Sequence, residues 1–295
     1  MAAFMRKAAE RAGKNFTSYD DLYHWSVTEI ESFWELIWRE ADIIHSKPYR
    51  EVLNERVMPG AKWFAGAKLN FAENLLRHRN DNPAIVSWRE DAEPVRLTYN
   101  RLYREVAACA AGLRKLGVTE GDRIAAFIPN IPEAIIAMLA TTSIGALWSS
   151  CSPDFGLQGV LDRFGQIAPK VLFTANGYRY LGKLYNCLDK VARIAEQLPD
   201  LESIVVIPNT GKPSSWSLPR SQKWRDLLDY SADTITFAQL PFDHPVYIMY
   251  SSGTTGVPKC IIHGAGGTLL QHWKEHVLHT DLRPGEVISY YTTCG

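Results

Sequence analysis

The sequence predicts an α/β fold: βαβ units with a mostly parallel sheet covered by helices, preceded by a helical and irregular leader. Three observations carry this prediction. From Pro83 onward short β-type runs alternate with helical patterns, the signature of βαβ units. The 295 residues, 46% hydrophobic and 22% charged, are a globular composition long enough for more than one core. No internal repeat of solenoid period breaks the alternation.

The leader is assigned to residues 1–80. Thr28 followed by Glu31 reads as a capping box, and Phe33, Trp34, Ile37 and Trp38 recur at helical spacing, so a helix is expected from Thr28 to about Ile44. Between Met58 and His78 the glycines Gly60 and Gly66 and the aromatics Trp63, Phe64 and Phe71 follow no clean period. This stretch is expected as a loop laid over the main body by its aromatic anchors.

Residues 81–295 carry the alternating pattern. Strands are expected at Ala84–Trp88, Arg123–Ile128, Lys170–Thr174 and Ser203–Ile207. Helices are expected at Tyr99–Leu116 (stopped by Gly117), Pro132–Ser143, Val160–Ile167 and Leu184–Leu198. Asn209–Trp216, with Gly211, two prolines and several serines nearby, suits an exposed connection. A second block opens near Phe242: an apolar run Val246–Tyr250, a Gly/Ser/Thr stretch, a run Cys260–His263, and a helical pattern from about Thr268 to His279.

Composition narrows the partners. Lys plus Arg and Asp plus Glu both count 32, so no whole-chain field exists to hold nucleic acid or an anionic membrane, and a small molecule is the expected ligand. The five cysteines (Cys109, Cys151, Cys187, Cys260, Cys294) form no C-x-x-C pair and are odd in number, which argues against a disulfide framework or a thiolate zinc site and fits the cytosol. The start, Met1 to Lys7, lacks the apolar region of a secretory signal. The longest apolar stretch, Ile135 to Leu147, is broken by Thr141, Thr142, Ser143 and Gly145 and falls short of the ~20 residues of a membrane span. It reads as a buried helix followed by a turn.

The chemistry concentrates in Tyr250-Ser251-Ser252-Gly253-Thr254-Thr255-Gly256-Val257-Pro258-Lys259. Glycines let backbone N–H groups turn inward as an anion-holding nest, hydroxyls add donors and a Mg²⁺ ligand, and a terminal lysine supplies a point charge. The spacing is not G-x-x-x-x-G-K-[ST], and a strand-like run follows, so the geometry of a P-loop NTPase is disfavoured. A generic Gly/Ser/Thr cluster between strands is usually a hairpin connection, but a short turn needs no set of this length ending in Pro258-Lys259.

This string resembles the signature of the adenylate-forming superfamily of acyl-CoA synthetases, luciferases and peptide synthetases. Further stretches narrow the resemblance to the acetoacetyl-CoA synthetase branch: Ser18 to Val27, Lys62 to Leu76, Trp148 to Gly156, Gly159 to Phe164, and His263 to Gly267. Acetyl-CoA synthetases usually carry Ser-Gly-Ser-Thr-Gly where this chain has Ser252 to Gly256. The resemblance implies ATP carried with Mg²⁺, CoA as co-substrate, and acetoacetate activated through an acyl-adenylate. By it Ser251, Ser252, Thr254 and Thr255 contact phosphate, Gly253 and Gly256 shape the nest, and Lys259 neutralises the triphosphate or the departing pyrophosphate. Gly182-Lys183 falls where acetyl-CoA synthetases carry a Gly-Arg or Gly-Lys that touches a CoA phosphate; a solvated lysine at the start of a helix suits the same letters.

Two spellings are read as coincidence. Ser152 to Gly156 contains Asp-Phe-Gly without a kinase's H-R-D loop, and the resemblance makes it a substrate-side turn. His272 to His276 spells H-x-x-E-H, with His279 beyond it; a packed or solvated helix is expected there and no metal. The chain stops at Gly295, inside what resembles the family's next motif, so residues 81–295 are expected to be a partial AMP-binding domain. The main catalytic residues are expected beyond Gly295, and these residues alone are expected to be inactive.

Overall fold

A computed structural model describes residues 1–211, 216–251 and 256–293. The chain divides into two compact units: Met1–Asn74 with Gln239–His244 and Gly264–Tyr290, and Leu75–Ala238 with Pro245–His263 and Tyr291–Gly295.

In the first unit three helices, Ala2–Ala12, Tyr19–Thr28 and Ile30–Glu40, precede the irregular stretch. The capping box lies ten residues before the expected one: Ser18 Oγ accepts from Asp21 N at 3.2 Å while the Asp21 carboxylate accepts from Ser18 N at 2.9 Å. The backbone amides of Thr17 and Ser18 hold the Asp21 carboxyl below its ordinary range. Thr28 instead ends a helix, its hydroxyl donating back to His24 O at 2.8 Å, and the next helix starts after Glu29 at φ −103°, ψ 55°. The aromatic face is real: Trp38 stacks on Phe64 at 4.8 Å, and Phe64 lies 4.8 Å from Phe242. The stretch expected as loop holds two short strands, Trp63–Ala65 and Lys68–Leu69, and the helix Phe71–Leu75. Its aromatic anchors masked the period because Phe64, fully buried in the middle of the first of these strands, takes a positive φ (46°). Near the end of this unit the helix Ala265–Trp273 passes into a π-helix, Lys274–His279.

The second unit is built on one seven-stranded sheet. Its strands are β1 Arg123–Phe127, β2 Leu147–Cys151, β3 Val171–Ala175, β4 Ser203–Ile207, β5 Ser221–Lys223, β6 Pro245–Ser251 and β7 Lys259–Gly264. Their order is β5-β4-β3-β1-β2-β6-β7, and every pairing from β5 across to β6 is parallel. Helix α1 Tyr99–Lys115 precedes β1, and α2 Pro132–Ile144, α3 Leu157–Phe164 and α4 Leu188–Glu196 connect β1 to β4 in turn. Ala125, Phe127, Leu172, Ile204 and Val206 join Val160 and Phe164 of α3 and Val191 and Ile194 of α4 in one buried cluster. Side chains alternate along a strand, so the equally buried Ile124, Ala126, Phe173 and Val205 face the opposite layer. Burial on both faces gives continuous apolar runs, which is why these strands stand out in the sequence.

Two of the departures from expectation bear on the site. Strand β2 was hidden in the sequence because Ser149 and Ser150 interrupt it, yet all five of its residues are buried. The helix expected at Leu184–Leu198 starts only at Leu188; before it Gly177–Tyr180 and Lys183–Asn186 form an antiparallel hairpin. The turn residues Leu181 (φ 50°) and Gly182 (φ 74°) are both left-handed, as a two-residue hairpin turn requires. Among the described residues no helix is long and apolar enough to cross a membrane.

Gly112, buried inside α1, marks a close approach: a Cβ there would overlap the Leu227 carbonyl. Alanine normally stabilises a helix interior by about 1 kcal/mol over glycine. Here the clash reverses the sign. Gly112→Ala is expected to cost about 1–3 kcal/mol net, read as a melting temperature lower by roughly 3–10 °C.

Candidate functional site

The strand order dictates where a ligand fits. From β1 the chain moves to β2 on one side, whereas from β3 it moves to β4 on the other. Loops therefore part above the carboxyl ends of β1 and β3, and in open parallel sheets that crevice is where ligands bind. A cavity of about 520 Å³ occupies this place. Its walls are Pro129–Ile131 after β1, Ser152–Asp154 after β2, Tyr178–Tyr180 after β3 and Asn209 after β4, with Trp88–Asp91 and Tyr291–Thr293 at the side.

The turn after β2 is held from below. Lys190 Nζ of α4 donates to Pro153 O at 3.0 Å and Phe155 O at 2.8 Å, and lies 5.2 Å from the Phe127 ring centre. Within the turn the Ser152 hydroxyl donates to Asp154 Oδ2 at 2.7 Å, and the Tyr178 hydroxyl donates to Asp154 Oδ1 at 2.8 Å. Burial and then this carboxylate push the Tyr178 hydroxyl's pKa up, so it stays a donor through the physiological range. Nearby burial pushes the Cys151 and Cys187 thiols to about 12, which leaves them inert.

The opposite wall is a clamp of charges. Glu90 accepts from Leu181 N at 2.8 Å and Gly182 N at 2.9 Å, so its carboxylate fills the anion nest of the hairpin turn. Asp91 sits between Arg89 Nε at 3.3 Å and Arg179 Nε at 3.2 Å, and these partners, Arg89 first, hold its carboxyl below the usual range. Arg89 Nη2 reaches on to Asn209 O at 2.8 Å. Lys183 opens the returning strand directly opposite Tyr180, on the face that carries the stacked Tyr178–Tyr185 pair (5.1 Å). It is thus a strand residue beside the cavity mouth, not a helix-start lysine, and it does not itself line the cavity.

The Gly/Ser/Thr loop leaves from the same edge of the sheet. Tyr247 pairs in parallel with Trp148, which puts Ser251 at the carboxyl end of β6, beside the end of β2. Ser252, Gly253, Thr254 and Thr255 lie outside the described residues. Gly256 is left-handed at φ 93° with open space where a Cβ would be, so its backbone, not packing, demands glycine. The exit is pinned by Gln166, whose Nε2 donates to Pro258 O at 2.9 Å. Lys259 begins β7, exposed and with no ion pair to any described residue. Beneath the entry, Ser149 Oγ lies 2.9 Å from Ile248 O and 3.0 Å from the Tyr250 hydroxyl, and Arg163 lies 4.4 Å from the Phe155 ring centre. Of the described residues of this stretch, Ser251, Gly256 and Lys259 do not line the cavity.

Sequence reasoning missed Trp88, Glu90, Asp91, Arg179 and Lys190, whereas Asp154 lies in the Ser152 to Gly156 turn it had singled out. Leu181-Gly182 between two Tyr-containing runs is the one signal that would have exposed the hairpin. His272 and His276 do stand on one side of a helix, with ring centres 6.2 Å apart, but Glu275 between them is taken by Lys274 at 2.6 Å.

Because two carbonyls of the Ser152–Phe155 turn depend on one ammonium, Lys190→Met is expected to cost about 1.5–3 kcal/mol. Hydrogen exchange should accelerate at residues 152–156 in that variant and stay unchanged in the leader helices.

Comparison with known proteins agrees with this geometry. The sequence profile of AMP-binding enzymes matches residues 71–292, and that of the acetyl-coenzyme A synthetase N-terminus matches residues 19–75. The chain is 45% identical over its whole length to the acetoacetyl-CoA synthetase of Rattus norvegicus and 46% identical to that of Rhizobium meliloti, covering 46% of each. It is 40% identical to the malonamoyl-CoA synthetase of Penicillium aethiopicum, again over its whole length and 43% of that protein. A solved acetoacetyl-CoA synthetase from Streptomyces lividans superposes with a TM-score of 0.93 at 45% identity, over 99% of this chain and 45% of that one. The chain thus spans about half the length of the relatives it matches, and it belongs to the family of AMP-binding enzymes.

Proposed function

We propose that the whole protein to which this chain belongs is an acid–thiol ligase that converts acetoacetate, ATP and CoA into acetoacetyl-CoA, AMP and pyrophosphate. The observation that carries the reading is the Ser251–Lys259 loop at the carboxyl edge of a parallel sheet, next to an open cavity. Identity of 44–46% to acetoacetyl-CoA synthetases supports the substrate. So does the malonamoyl-CoA relative. Acetoacetate and malonamate differ only in methyl against amino beyond a β-carbonyl, so both names point to a pocket for a short β-carbonyl acid.

A carboxylate is a poor acyl donor. Its oxygen attacks the α-phosphorus of Mg·ATP, pyrophosphate leaves, and the mixed anhydride so formed gives the CoA thiol an AMP leaving group to displace. The chain's part in the first step is electrostatic. Ser251, Ser252, Thr254 and Thr255 donate to phosphate oxygens, Gly253 and Gly256 let the backbone turn its amides inward, and the exposed Lys259 offsets charge on the departing pyrophosphate. For the second step we assign CoA to the cavity, with Lys183 meeting one of its phosphates at the mouth.

We divide the chain into a leader, residues 1–80, and a partial AMP-binding domain, residues 81–295. The two profile matches meet at residues 71–75, a few residues before this division. By themselves residues 1–295 are proposed to be inactive. The cytosol is the assigned compartment, on the unpaired thiols of Cys109, Cys151 and Cys187.

In the full-length protein, Lys259→Ala is expected to lower kcat/KM for ATP by about 10- to 100-fold, as loss of one charge-assisted phosphate contact implies. Acetoacetate and malonamate should both support AMP release better than acetate. Preference for acetate would exclude the β-carbonyl assignment.

A further inference from the structure

Trp88 is a large apolar side chain that no described residue uses. It ends the run after the strand Pro83–Ser87, is 75% exposed, and lines the cavity. Its indole has no hydrogen-bond or ring partner among the described residues.

The three residues that follow are each tied down. Arg89 is fixed to Asn209, Glu90 to the two amides of the hairpin turn, and Asp91 to Arg89 and Arg179. The indole therefore stands on a rigid mount and its ring is left over. A planar, pre-positioned aromatic surface at the mouth of this cavity suits a planar ligand group, because stacking needs only a π-face and loses little rotamer freedom. The same mouth carries Lys183 and Tyr180, side by side on the hairpin. Base, phosphate and cavity thus call for a nucleotide with a chain long enough to run inward toward the Ser152–Asp154 turn.

Two nucleotides take part in the proposed reaction. The triphosphate loop lies past β2, at β6 and β7, and none of its described residues lines the cavity. That leaves the thiol-bearing nucleotide for this wall. We propose that Trp88 is the platform on which the base of CoA stacks, held by the Arg89–Asp91 clamp. The inference rests on the cleft reading above and adds the residue that recognises the base.

The test compares two acceptors in the full-length protein: CoA, and pantetheine, which has the thiol but no nucleotide. Trp88→Ala should raise KM for CoA by about 5- to 50-fold, with kcat changed by less than about two-fold. KM for pantetheine and for ATP should not move, and Trp88→Phe should restore most of the loss. Equal losses with CoA and pantetheine would mark a structural role and overturn the proposal. A rise in KM for ATP would place the wrong nucleotide on the ring and overturn it too. Lys183→Ala in the same assay separates the levels: if it weakens CoA while Trp88→Ala does nothing, the platform falls and the cleft stands. Silence of both variants removes the cleft reading with it.

Discussion

Parallel pairing is the constraint from which the site descends. When β1 to β4 run the same way, each loop that follows a strand emerges at one edge of the sheet, and each return must cross a face as a helix. The chain's reversal at β1 opens that edge, and four successive loops become four walls of one cavity. Strand β6 joins in the same direction, so the Ser251–Lys259 loop arrives at the same edge without further design. A single flipped strand would send one of these groups to the far side.

The walls are held by charge rather than by burial. Individually, exposed ion pairs such as Arg89–Asp91 contribute about 0–1 kcal/mol. Their value here is geometric. Glu90 satisfies both amides of a turn that places Leu181 in a left-handed conformation, and Asp91 ties two arginines from different loops to one carboxylate. Lys190 does the corresponding work on the other wall, where two carbonyls converge on it. Each loop is thereby fixed to a segment distant from it in the sequence.

Sequence reading recovered what periodicity encodes. The doubly buried strands Arg123–Phe127, Val171–Ala175 and Ser203–Ile207 announce themselves as apolar runs, and Gly145, at φ 89°, ends its helix as expected. It failed where tertiary contacts set the conformation. Leu147–Cys151 is a central strand despite two serines because Ser149 finds a partner in Ile248 O. Lys183–Asn186 is a strand because Tyr185 stacks on Tyr178 across a tight turn. The Ser251–Lys259 stretch stands out in the sequence by its residue types; the charged clamp does not, since Arg89, Glu90 and Asp91 look like any solvated run until the fold brings Asn209 and the hairpin to them.

Adenylation itself is tested most directly by isotope exchange between pyrophosphate and ATP in the full-length protein, without CoA. Exchange that requires acetoacetate is the result expected, because formation and reversal of the mixed anhydride need no thiol. Release of ADP, or exchange that appears only when CoA is added, would contradict it.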